Sequence, residues 1–176
     1  DKIRNPRSMR ALGFCVSVKH AEYMAEYCKR NGLPAVAVSG ETKDVVRQDS
    51  LRKLRAGEVN IVFTVDLFNE VIDVPAVDTG LFLRPTESST IFLQQLGRGL
   101  RLSDDKECLT VLDFIGTQNR KFRFDTRFKV LLRTTRSGAK IAIEEGFPFL
   151  PAGCDMQLDK ESQKAVLDNI KSALPL

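Results

Sequence analysis

The stretch Gln94-Gln95-Leu96-Gly97-Arg98-Gly99-Leu100-Arg101 sets two arginines three residues apart behind a glutamine, with a glycine on either side of the first arginine. On a helix Arg98 and Arg101 share one face. Two guanidinium forks projected together suit a polyphosphate, because arginine stays charged and donates in a planar bidentate geometry that lysine cannot copy. Gly97 and Gly99 each cost a helix about 1 kcal/mol relative to alanine, which points to a close approach to the backbone. Read alone, the same eight residues also describe a solvated basic helix with two incidental glycines.

The elements that must position these arginines follow from hydrophobic pattern. Residues 11–18, Ala-Leu-Gly-Phe-Cys-Val-Ser-Val, form the short apolar run of a parallel strand covered on both faces. Ser17 can cap the helix that follows, in which Ala21, Met24, Ala25 and Cys28 recur at helical spacing until Gly32 and Pro34 stop it. Ala35 to Val38 is a second strand ending at Ser39-Gly40. Lys43 to Arg55 is a second helix with Leu51 and Leu54 inward and Gly57 beyond its end. Val59 to Val65, Thr79 to Leu83 and Leu109 to Phe114 are further strands, the last two separated by the Arg98 helix. Strands alternating with helices of this length make βαβ crossovers and a mainly parallel sheet with helices on both faces. Ligands collect at the carboxyl ends of such strands, where Ser17, Ser39-Gly40, Thr64 and the 66–75 loop fall. No G-x-x-x-x-G-K-[ST] phosphate loop and no G-x-G-x-x-G is present, so this sheet does not hold a nucleotide's phosphates by itself.

Composition narrows the class. A chain of 176 residues with 43% hydrophobic content can bury a sizeable core. It has no apolar run of membrane-spanning length and no secretory leader, and it opens on Asp1 rather than methionine, as a piece of a longer protein does. The four cysteines, Cys15, Cys28, Cys108 and Cys154, lack metal-site or disulfide-framework spacing and read as buried thiols of a cytoplasmic protein with no metal site of its own. The net charge of +4 is unevenly spread: residues 115–136 hold seven Arg or Lys against one Asp, an excess able to face an acidic polymer.

The order of these elements and the residues at their ends resemble the second RecA-like domain of superfamily 2 helicases and translocases, a three-layer α/β domain of the P-loop NTPase type. Phe14-Cys15-Val16-Ser17 looks like the family's opening strand motif, and Ser39-Gly40 with Arg47 like the next turn and helix. Gly57, Ile61 to Asp66 and Asn69-Glu70-Val71-Ile72-Asp73-Val74-Pro75 look like its fifth motif, and Gln94-x-x-Gly97-Arg98-x-x-Arg101 like its sixth. The Phe68-Asn69-Glu70 and Leu83 to Ser88 segments are most similar to the DEAH-like DNA helicase and restriction branch.

The resemblance implies that Arg98 and Arg101 are fingers reaching ATP held, with Mg²⁺, mainly by an N-terminal RecA-like domain of the same protein. It implies nucleotide contacts at Gln94, Gly97, Glu70 and Asp73, and nucleic-acid contacts at Thr64, Ser39, Gly40 and Ser17. DNA is the implied track, with RNA open, and no membrane is implied. Residue chemistry leaves other readings beside these: Gln94 as an ordinary residue at a helix start, Asp73 as a loop cap, Ser17 as a plain helix cap, and Thr64 as a β-branched strand end. Val71 departs from the pattern, which has glycine there. A left-handed backbone at that position costs valine about 1–2 kcal/mol.

Three parts result: a linker at 1–10, the RecA-like domain at 11–116, and a mostly helical extension at 117–176. In the extension Asn119 to Lys129 interleaves three phenylalanines with five basic residues. Phe124, Phe128, Leu131 and Leu132 read as a helix stripe packed on the domain with its charges in water, in preference to a base-stacking surface. Residues 144–153 form an apolar connector in need of a groove, and Asp159 can cap a last helix from Lys160 to Ala173. Two functions are compatible with the whole: one half of an ATP-dependent motor, inactive alone, or a non-catalytic nucleic-acid-binding or docking module that kept the fold.

Overall fold

The computed structural model describes residues 5–65, 77–84, 108–114, 124–150 and 155–172. They fall into two compact units: the described residues up to 84 together with 108–114, and those from 124 onward.

The first unit is a five-stranded, all-parallel sheet. β1 (Ala11–Phe14), β2 (Ala35–Val38), β3 (Ile61–Thr64), β4 (Thr79–Phe82) and β5 (Thr110–Asp113) lie in the order β2-β3-β1-β4-β5. The uninterrupted apolar runs explain the interior: β1, β3 and β4 are buried along their whole length, as strands covered on both faces must be. α1 (Val18–Arg30) buries Ala21 and Ala25, with Met24 and Cys28 packed behind them, and stops at Gly32, whose φ is +74°. α2 (Asp44–Ala56) turns Leu51 and Leu54 inward. It ends at the left-handed Gly57, where the Gly57 and Glu58 N–H groups close back on the Leu54 and Lys53 carbonyls. All five strands and both helices answer to the segments expected from the sequence.

The basic leader departs from the expected linker in its last residues. Met9 is 6% exposed and belongs to the core. The Asn60 side-chain amide donates to the Arg7 and Met9 carbonyls at 2.7 and 3.1 Å. The Arg10 N–H donates to the Asp78 carboxylate at 3.1 and 3.2 Å, and the Arg10 carbonyl accepts from the Asp78 N–H. The chain is thus fastened to the amino edge of the sheet before β1 begins. The thiols also differ from expectation, since Cys15 is buried, Cys28 half-buried and Cys108 exposed; Cys154 lies outside the described residues.

The second unit has its own core. α3 (Phe124–Leu132), α4 (Arg136–Glu144) and α5 (Lys160–Ser172) enclose Phe124, Phe128, Ala139, Ile143, Phe147, Val166 and Ile170. The stripe at Phe124 and Phe128 forms as the spacing predicts, but it is buried within this second core. Its charges do not all face water either: Asp125 and Arg127 are buried, and Asp125 lies 3.5 Å from Arg136, whose guanidinium also donates to the Ile170 carbonyl. Burial of Asp125 is tolerable because the Arg136 cation stands in for part of the lost water. Asp159 caps α5 by accepting from the Glu161 and Ser162 N–H groups at 3.0 and 2.9 Å. Of the connector's described residues Phe147 is buried, stacking on Phe128 at 6.0 Å, and Leu150 packs partly buried against the same core, while Phe149 stays 90% exposed.

Gly13 is the most closely packed of the first unit's described glycines, because a Cβ there would stand 2.6 Å from Phe63 Cε1 on the neighbouring strand. Gly13→Ala is expected to lower stability by about 1–3 kcal/mol through overpacking. A urea unfolding midpoint identical to that of the unmodified chain would show that the Phe63 ring relaxes without cost.

Candidate functional site at the carboxyl edge of the sheet

Strand register lines up the last residues of all five strands. Phe14 faces Thr64 on one side and Phe82 on the other, Thr64 faces Val38, and Phe82 faces Asp113. Adjacent strands are about 4.8 Å apart, so whatever follows these residues forms a closely spaced row. The row runs Ser39-Gly40 after β2, Thr64 at the end of β3, Cys15 to Ser17 after β1, and Leu83-Arg84 after β4. Four candidate residues, Ser39, Gly40, Thr64 and Ser17, are thereby brought to one edge by residues far apart in sequence. Arg98, Arg101, Gln94, Gly97, Glu70 and Asp73, and with them Val71, lie outside the described residues.

Each member of the row has a distinct local cause. Ser39 closes a turn: its N–H donates to Thr42 Oγ1 at 2.8 Å and its Oγ accepts from the Glu41 N–H at 3.3 Å. Gly40 is exposed, and a Cβ built on it would meet nothing within 4 Å, so the fold itself does not require glycine there. Ser17 is the N-cap of α1, accepting from the His20 N–H at 3.2 Å. The helix-cap reading of Ser17 therefore holds, and its exposed hydroxyl keeps a proton to donate. His20 is also engaged locally, its Nδ1 accepting from the Val16 N–H at 3.5 Å.

Thr64 behaves differently. It is 2% exposed, and its carbonyl accepts from the Cys15 N–H at 2.9 Å. Its hydroxyl, however, has no hydrogen-bond partner among the described residues. An unmade hydrogen bond on a buried hydroxyl costs about 1–3 kcal/mol. It is the kind of group that a ligand oxygen at the edge would satisfy.

Cys15 beside it is fully buried, and desolvation pushes its thiol up to about 11, with the positive charge of Arg84 pulling in the opposite direction. A thiol so placed is a packing group and not a nucleophile. Among the described residues no cluster of His, Cys, Asp and Glu is arranged to hold a metal ion, and no helix is long and apolar enough to cross a membrane. Arg84 is the one cation at this edge among the described residues, and the sequence reading left it without a role. Its charge stands out only once strand order places β4 next to β1.

Comparison with known proteins bears on this arrangement. Residues 2–103 match the family described as helicase conserved C-terminal domain. The putative ATP-dependent helicase IRC3 of Saccharomyces cerevisiae is 33% identical over 108 residues, covering 61% of this chain and 16% of that protein. UvrABC system protein B of Thermosipho africanus is 38% identical over 108 residues, covering 57% of this chain and 16% of that protein. The chain thus spans about a sixth of the length of these two relatives. Among solved structures, domain 2 of the Mss116p DEAD-box helicase bound to an RNA duplex aligns with a TM-score of 0.55 at 16% identity, over 93% of this chain and 58% of that one. The Escherichia coli DEAD-box protein SrmB aligns with a TM-score of 0.53 at 20% identity, over 62% of this chain and 65% of that one.

Two predictions follow from these local geometries. Ser17→Ala is expected to cost about 0.5–2 kcal/mol through the lost cap, and Gly40→Ala less than about 0.5 kcal/mol. A large loss of stability in the Gly40 variant would mean that its backbone is constrained after all. At pH 8 Cys15, with about 10⁻³ of its thiol ionised, is expected to resist alkylation in the folded chain while Cys108 reacts. Peptide mass mapping that finds Cys15 labelled as fast as Cys108 would contradict its burial.

Proposed function

The chain belongs to the helicase conserved C-terminal domain family, and from that premise we propose that it is the second motor domain of an ATP-dependent DNA helicase or translocase. The reading is carried by one coincidence: the sheet of this family's fold aligns Ser39, Gly40, Thr64 and Ser17 on the edge where the sequence motifs expect nucleic acid. Hydroxyls and main-chain N–H groups suit phosphate oxygens, because they position a strand without reading its bases.

In this reading ATP, with Mg²⁺, is held mainly by an N-terminal RecA-like domain of the same protein, since this sequence has no phosphate loop. ATP supplies the phosphoryl group whose cleavage drives movement. Arg98 and Arg101 contribute guanidinium charge from across the cleft, where negative charge spreads over the transferring group. Such a finger is worth about 10³–10⁵ in rate. Gln94 and Gly97 support the nucleotide from the same sequence motif, and Glu70 and Asp73 from the segment that follows β3 in sequence.

DNA is the favoured track from the resemblance to the DNA helicase and restriction branch; RNA is the alternative, a neighbour of the same fold being bound to an RNA duplex. Val71, standing where the pattern has glycine, favours one second reading, a non-catalytic binding module of the same fold. That module would bind nucleic acid in a salt-sensitive way, indifferent to ATP.

The test is nucleic-acid-stimulated ATP hydrolysis by the full-length protein, unmodified and as Arg98→Ala, on DNA and on RNA. Turnover is expected to fall at least about 10³-fold with ATP binding largely retained. The stimulating polymer identifies the track. Unchanged turnover would remove the finger role and leave the binding-module reading.

A further inference from the structure

We propose that Arg84 is the cationic phosphate contact of the nucleic-acid track, completing a row whose other members, Ser39, Gly40, Thr64 and Ser17, carry no charge; the inference rests on the nucleic-acid reading of that edge. Strand order places it there. β4 is the immediate neighbour of β1, and the Leu83 N–H donates to the Phe14 carbonyl at 3.0 Å, so the chain is still bonded to β1 one residue before Arg84. Among the described residues Arg84 is the one cation within two residues of a strand's carboxyl end.

The distances suit a polymer. From β2 to β4 the row crosses three strand spacings, about 14 Å in all. A nucleic-acid strand carries one phosphate per about 3.4 Å of helix axis, so the row is long enough to meet more than one. Neutral donors orient phosphate oxygens, but only a cation neutralises one and releases its counterion. Arg84 is half-buried, and its positive charge is one of the influences on the Cys15 thiol of the neighbouring strand. Asp113 ends β5 on the opposite side of β4, so Arg84 lies between that strand end and the Cys15 to Ser17 segment.

The experiment is equilibrium binding of a fluorescent single-stranded oligonucleotide, DNA or RNA as the ATPase assay dictates, to the full-length protein between 50 and 300 mM salt. Unmodified protein, Arg84→Ala and Arg84→Lys are compared, with thermal unfolding as the check on folding. Arg84→Ala is expected to weaken binding about threefold to tenfold and to reduce the slope of log K against log salt by about 0.7, the value for one phosphate on a single strand. Arg84→Lys is expected to keep the slope while losing part of the affinity, which a purely structural arginine would not do.

A slope and affinity unchanged in a folded Arg84→Ala protein overturn the proposal. ATP-analogue binding is measured in the same variants, and weakening there with the salt slope intact assigns the arginine to the nucleotide's phosphates and overturns its place on the track. Absence of nucleic-acid binding by the unmodified protein is a different failure, since it removes the parent reading.

Discussion

The parallel pairing of β1 with β3 and β4 is the constraint on which the rest of the first unit depends. In-register pairing brings Phe14, Thr64 and Phe82 level, and the main-chain bonds continue past the strands through Cys15 to Thr64 and Leu83 to Phe14. That continuity converts three separate loops into one edge. A slip of one residue in β3 would turn every side chain to the other face, taking Phe63 out of the core and Thr64 to the opposite side of the sheet. Gly13 guards the register from within, because the Phe63 ring occupies the space a side chain on β1 would need.

The amino edge is secured by polar bonds as well as by the packing of Met9. Asn60 and Asp78, each lying just before a strand, bind the main chain of residues 7–10. Buried amides and carboxylates hold a chain in one place only while every partner is present, so they define where β1 starts more sharply than an apolar contact could. The leader therefore approaches the sheet in a fixed direction, at the edge opposite the candidate site.

How much of this was legible in the sequence depends on range. α1 and α2 and the five strands were readable because their signals are local: Ser17 as a cap, Ala21 and Ala25 at helical spacing, Gly57 as a stop, and apolar runs for buried strands. Gly32 and Gly57 adopt the positive φ that such stops require. The attachment of Arg7 and Met9 to Asn60 was not readable, since the bonded residues are more than fifty positions apart and no local pattern marks an asparagine as a clamp. The burial of Asp125 and Arg127 was missed for a related reason. Helical spacing assigned them to the wet side of α3, but two more helices and the Arg136 guanidinium close over that side. At the site, types and order gave the candidates, whereas the relevance of Arg84 needed the strand order β3-β1-β4.

Comparison of Gly13 with Thr64 separates what the fold demands from what it merely tolerates. Gly13 lowers β-propensity in a central strand, and the fold accounts for it completely, because Phe63 fills the vacant volume. Thr64 lacks such an account. Valine has nearly the same shape, the same β-branching and no group left unbonded, so at a position 2% exposed it would spare the sheet about 1–3 kcal/mol. The hydroxyl is therefore a cost that packing among the described residues does not offset, at the end of a strand whose neighbours on the edge are a serine turn, an exposed glycine and a serine cap. A polar group retained against the interest of the core is most economically explained by a partner outside the core. The phosphate oxygens of a strand lying across the edge supply acceptors for such a hydroxyl. This is the physical reason why the proposed track crosses β2, β3, β1 and β4 at their carboxyl ends.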